Sequence, residues 1–197
     1  MKISNGLSFW AYACILCGML LFANGAIAET QSHGATIANT PITLVASIFG
    51  LLGSFGFLFA YWALQSFRVA GSGWLSKLSG GFIITGLILG VMGSIYTLPD
   101  PNRVQWLTPL GSVSVSLGWL AFGIGVLRSR ILQSWQRFVP LILGLYFFIQ
   151  FPLQFFLFIS VRGYPSYLIV VGGYGVLIAI LGSTIFSLIK RPITSMP

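Results

Sequence analysis

Cys14 and Cys17 stand in the C-x-x-C spacing that serves zinc binding or thiol redox chemistry when it lies on an accessible loop. Here the surroundings are Ala-Tyr-Ala-Cys-Ile-Leu-Cys-Gly, an apolar run. No second Cys or His pair exists to complete a zinc shell. The plainer reading is two small side chains that tolerate an apolar helix.

The run Gly111-Ser112-Val113-Ser114-Val115-Ser116 offers three hydroxyls. A nucleophilic serine needs a base to take its proton, and none accompanies this run. Such serines more often bond back to helix carbonyls or to a neighbouring helix. Gln150 and Gln154 are the strongest polar groups in an otherwise apolar stretch, with Gln65 near the end of another. The first two lie one helical turn apart and share a face. An amide in lipid must find a hydrogen-bond partner. They therefore either join helices or line a binding cavity.

Glu29, His33, Asp100, Arg103 and Arg162 form the last group. A metal or substrate site is one reading. The plainer one leaves Glu29 and His33 in a loose solvated loop and has Asp100 cap the turn Pro99-Asp100-Pro101-Asn102. His33 is the only histidine, so one chain cannot hold a haem between two histidines. Gly71-Ser72-Gly73 lacks the Gly-Lys-Ser/Thr that a phosphate loop requires. The expectation is a chain with no catalytic centre, no cofactor and no metal.

The elements that would position these groups follow from composition. Of 197 residues, 56% are hydrophobic and 6% charged, far below the roughly one quarter charged in soluble domains. A bilayer span needs about 20 mostly apolar residues. Six segments qualify, approximately 7–28, 42–66, 80–98, 105–127, 138–160 and 166–189, and none contains Lys, Arg, Asp, Glu or His. Lipid offers backbone groups no partner, and the runs lack the alternation of barrel strands, so helices are required. The fold class expected is an all-α, polytopic transmembrane bundle forming one membrane domain.

Basic residues orient it. Lys2, Arg68, Lys77, Arg128, Arg130, Arg137, Lys190 and Arg191 fall on one side of the predicted topology, and only Arg103 and Arg162 on the other, together with both acidic residues. This places both termini in the cytoplasm and the chain in a plasma or bacterial inner membrane. The net charge of +8 thus reads as an orientation signal, with no nucleic-acid partner. Arg128, Arg130 and Arg137, interleaved with Ile131, Leu132 and Trp135, suit anionic lipid headgroups. Trp62, Trp74 and Trp135 mark one interface and Tyr96, Trp106, Tyr164 and Tyr167 the other. Trp119 sits within a span and is read as a packing residue. Ala26-x-Ala28, with Asn24 and Gly25 as helix breakers upstream, also has signal-peptidase spacing, which leaves five spans if the first is removed.

Small residues recur every four positions: Ala46, Gly50 and Ser54; Gly86, Gly90 and Ser94; Gly175, Ala179 and Ser183. Such faces let helix backbones approach closely. The fifth span is instead rich in phenylalanine, with Pro140 and Pro152, and reads as facing lipid or a bulky apolar partner, with a kink near Pro152. Overlaying the second and fourth spans at Ser54/Ser116 and Gly56/Gly118 hints at a repeated hairpin. Two functions are consistent with all this. The leading one is a non-enzymatic accessory or assembly subunit associating with other membrane protein subunits. The alternative is a small transporter or channel for a neutral or lipophilic solute, using Gln150, Gln154, Ser112, Ser114 and Ser116.

Overall fold

A computed structural model describes residues 2–32, 41–97, 106–132, 134–153 and 166–189. Within them the chain is all helical, as its uncharged spans demand. The helices are α1 (Lys2–Ser32), α2 (Pro41–Ser66), α3 (Trp74–Thr97), α4 (Leu107–Ser129), α5 (Val139–Leu153) and α6 (Gly173–Ile189). A 3-10 turn, Ser134–Phe138, leads into α5, and a π-helical turn, Leu168–Gly172, leads into α6. Five helices are long and apolar enough to cross a membrane. The described part of α5 is 15 residues, and the remainder of the expected fifth span lies outside the described residues, as does any kink beyond Pro152.

Sharp turns join the helices at the basic end. After α2, Arg68 and Gly71 take left-handed backbone (φ 52° and 73°), and the Arg68 and Val69 N–H groups donate back to Gln65 and Leu64 carbonyls. The reversal lets α3 begin at Trp74, six residues before the expected boundary at Gly80, because the amphipathic Trp74–Ser79 segment completes a helical turn against α2. Tyr61 donates to the Ser76 carbonyl (2.9 Å), and Ser76 Oγ donates to Gln65 Oε1 (2.8 Å). Arg130, also left-handed at φ 56°, ends α4 with its N–H on the Val126 carbonyl. Ser129 Oγ donates across to the Val69 carbonyl.

Packing divides the bundle into two layers of three helices. Helix α1 lies between α2 and α6, and α4 lies between α3 and α5, while contacts between the layers are sparser. Exchanging the halves α1–α3 and α4–α6 preserves the close pairings: α1 with α2 becomes α4 with α5, and α1 with α6 becomes α4 with α3. An odd number of helices per half gives the halves opposite directions, the arrangement of an inverted repeat. The expected overlay of the second and fourth spans does not describe this architecture, since α2 flanks its layer and α4 is central to the other.

Glycine makes both close crossings. A Cβ on Gly18 would lie 2.5 Å from the Gly175 carbonyl oxygen, and Gly175 meets the Gly18 carbonyl in return. A Cβ on Gly86 would lie 2.5 Å from the Gly111 carbonyl oxygen, and one on Gly111 2.6 Å from that of Gly86. On α4 the stripe continues at seven-residue spacing: Gly118 faces Ser79 and Ile83, and Gly125 faces Ala70. Backbones this close gain dispersion and Cα–H···O contacts that any side chain would prevent. The outer surface carries large apolar side chains such as Leu16, Met19, Leu52, Ile88, Met92 and Ile149, which suits lipid as solvent. Exposed Trp74, Trp106 and Trp135 sit at helix ends.

Candidate functional site: a central uncharged cavity

Between the two layers lies a cavity of about 330 Å³, to which all six helices contribute. Asn24 comes from α1, Ser54 and Phe57 from α2, Gly86 and Gly90 from α3. Thr108, Ser112 and Ser116 come from α4, Phe147 and Gln150 from α5, and Tyr174 from α6. No lining residue is ionisable at neutral pH, since tyrosine stays protonated there. Most of the wall is apolar, with a few polar groups set into it, the usual character of a small-molecule site.

The wall is organised by local structure. The π-helical turn at Leu168–Gly172 widens the helical path where Val170, Val171 and Tyr174 enter the wall, and such turns are frequent at functional sites. Tyr146 donates to the Ile169 carbonyl and packs edge-on against Tyr174, with ring centroids 4.9 Å apart. Phe57 also packs edge-on against Tyr174 (5.5 Å). Tyr174 is thereby held between the layers, with its hydroxyl 3.5 Å from Ser116 Oγ.

Toward the basic end the space closes. Trp119 and Phe122 are fully buried and pack edge-on, and Tyr61 of the opposite layer packs edge-on against Phe122 at 5.4 Å. Leu64, Val126 and Leu143 are buried with them. The cavity therefore belongs to the half of the bundle that holds the α1 C-terminus.

Individual site residues fall as follows. Ser112 and Ser116 line the cavity, whereas Ser114 Oγ donates to the Phe82 carbonyl of α3 at 2.8 Å. Gln150 lines the cavity and is 5% exposed, while Gln154 lies outside the described residues. Ala46 is buried on α2. Gly50 lies beneath the Asn24 side chain, and Ser54 bonds back to the Gly50 carbonyl at 2.7 Å. Gly86 sits at the α4 crossing, but Gly90, one turn along, has open space where a Cβ would be. The side chain of Ser94 lies outside the description. Gly175 and Ala179 pack on Gly18, and Ser183 is exposed, donating to the Ala179 carbonyl.

Several expectations change. Asn24 and Gly25 do not break α1, which runs on to Ser32; Gly25 instead faces Gly172 closely and Asn24 covers Gly50. Glu29 is not in a loose loop. It belongs to α1 and accepts hydrogen bonds from Ser166 Oγ (3.1 Å) and the Leu168 N–H (3.2 Å), placing an acceptor at the start of the α6 segment. His33, Asp100, Arg103 and Arg162 lie outside the described residues. The fifth helix is not simply lipid-facing. Ile142, Phe148 and Ile149 are exposed, but Gly144 lets its backbone approach Trp119 and Leu120 of α4. Cys14 and Cys17 are buried thiols directed at the Gly56 and Leu52 carbonyls of α2. Arg128 and Arg130 are exposed at the basic end, and Arg137 stacks over Phe138 at 4.8 Å.

Sequence reasoning missed Tyr174, Asn24 and Thr108 as wall residues. Their signal was a polar group within an apolar span, the same signal that singled out Gln150. No family model, curated protein or solved structure matches the chain. The fold and the wall chemistry together define a multi-pass, all-helical membrane protein.

Proposed function

We propose that the protein is a small carrier that binds a neutral, lipophilic solute in its central cavity. The observation that carries this reading is the cavity itself, uncharged, mostly apolar, and edged by Gln150, Ser112 and Ser116. A charged solute would find no counter-ion there, and desolvating it would be costly. The buried Tyr61–Trp119–Phe122 cluster, packed between the layers at the basic end, favours a carrier over an open channel. Two layers joined by sparser contacts, with the cavity between them, suit alternating exposure by rocking of one layer against the other. Gly86 and Gly175 are taken up by crossings within the chain, which favours this reading over one in which those two positions seat another subunit.

The test uses Gly90→Phe, which directs a large side chain into open space in the wall. Both proteins are purified from membranes in mild detergent, and their small-molecule extracts are compared by mass spectrometry. The wild-type chain should retain a neutral organic molecule, at about one per chain, that the equally folded variant lacks. Identical extracts from the two proteins would overturn the proposal.

A further inference from the structure

The basic end of the bundle holds charge that the chain does not neutralise. Arg68, Lys77, Arg128 and Arg130 are exposed there, and Arg137 is half-buried in the turn before α5. The whole sequence has two acidic residues. Glu29 is bound at the opposite end to Ser166 and Leu168, and Asp100 follows the far end of α3 in sequence. Counter-charge at the basic end therefore comes from outside the chain. Among these cations Arg137 is the one the fold holds against a ring. Its guanidinium carbon lies 4.8 Å from the Phe138 ring centroid, a cation–π stack. Its Nε is buried, which leaves the outer Nη edge of the planar fork to meet an oxyanion.

A track for an acyl chain starts at the same ring. Phe138, Ile142, Leu145 and Ile149 are exposed apolar residues at spacings of four, three and four, which puts them on one helical face. They span about 16 Å along the axis, close to half of the ~30 Å hydrocarbon core. Trp135, also exposed, stands beside them at the headgroup level. We infer that Arg137 and this stripe of α5 form a binding site for an anionic phospholipid. The lipid phosphate pairs with the Arg137 guanidinium, and an acyl chain lies along Phe138, Ile142, Leu145 and Ile149. Arg128 and Arg130, in the same α4–α5 connection, add attraction for the net negative headgroup. None of these residues lines the central cavity, so the site is separate from the one proposed for the solute.

Native mass spectrometry of the full chain in a neutral detergent tests the inference. The probes are dioleoyl phosphatidylglycerol and dioleoyl phosphatidylcholine, which share acyl chains and differ in net charge. The wild type should bind its first phosphatidylglycerol about tenfold more tightly than phosphatidylcholine. Arg137→Gln should weaken phosphatidylglycerol about fivefold and leave phosphatidylcholine unchanged, the second result also reporting an intact fold. Ile142→Ser should weaken both lipids. Lys77→Gln removes an exposed cation from α3 and should leave the first phosphatidylglycerol bound as in wild type. Equal losses in Arg137→Gln and Lys77→Gln would overturn the site in favour of a general attraction of the basic end for anions. So would equal binding of the two lipids by the wild type. Displacement of phosphatidylglycerol by inorganic phosphate, with Ile142→Ser without effect, would reduce the site to one for phosphate alone and overturn the lipid assignment.

Discussion

Gly86 and Gly90 lie one turn apart on α3, yet the same residue type serves opposite ends. At Gly86 the missing side chain admits another backbone, and a Cβ would strike the Gly111 carbonyl at 2.5 Å. At Gly90 it leaves space, and the residue forms part of the cavity wall. The same contrast holds between regions of the molecule. Within each layer, glycine draws helices together until nothing fits between them. Between the layers, larger residues and sparser contacts leave room for a ligand. Dispersion needs close atoms on both sides, so the crossings are the rigid part and the seam the adaptable one.

The largest effect should come from filling a crossing. Gly111→Val places side-chain atoms against the Gly86 carbonyl and Gly90 N–H, backbone that cannot yield without separating α3 from α4. A loss of about 3 kcal/mol or more is expected, read as failure to recover folded protein or a collapsed midpoint in denaturing-detergent titration. Tolerance of this change would erase the distinction between crossing and seam. Gly90→Phe comes next and should change stability by less than about 1 kcal/mol, while abolishing solute retention. Destabilisation comparable to that of Gly111→Val would mean the seam is as tightly packed as the crossings.

Smaller effects sharpen the comparison. Ser114→Ala removes the α4-to-α3 hydrogen bond to the Phe82 carbonyl. Interhelical bonds of this kind average about 0.6 kcal/mol in a membrane, so a small but measurable drop is expected at unchanged ligand affinity. Ser183→Ala, on an exposed hydroxyl bonded to its own helix, should fall within about 0.5 kcal/mol of wild type. A larger loss would point to a partner seated on that face of α6.

The spans were legible because burial in lipid imposes one strong condition, a long uncharged run, and each run met it. Gln150 and Ser112 could be singled out for a related reason: a polar group in such a run must be accounted for. The four-residue spacing of small residues was a weaker guide. It marked Gly86 and Gly175, which do form crossings, alongside Gly90, Ser54 and Ser183, which face the cavity or the outer surface. Gly18 and Gly111, their crossing partners, were not among those residues. Spacing within one helix says which residues share a face, but not what that face meets.

Sequence alone determined that the chain is helical, that it crosses a membrane repeatedly, and that its interior is uncharged. These follow from local composition, since each span satisfies its own backbone whatever its neighbours. Only the tertiary structure decided that α1 packs between α2 and α6, that Ser114 turns to α3 while Ser112 and Ser116 line a cavity, and that Glu29 meets the start of the α6 segment. Those outcomes depend on which helices become neighbours. That choice is made by the complementarity of two surfaces, and neither surface alone contains it.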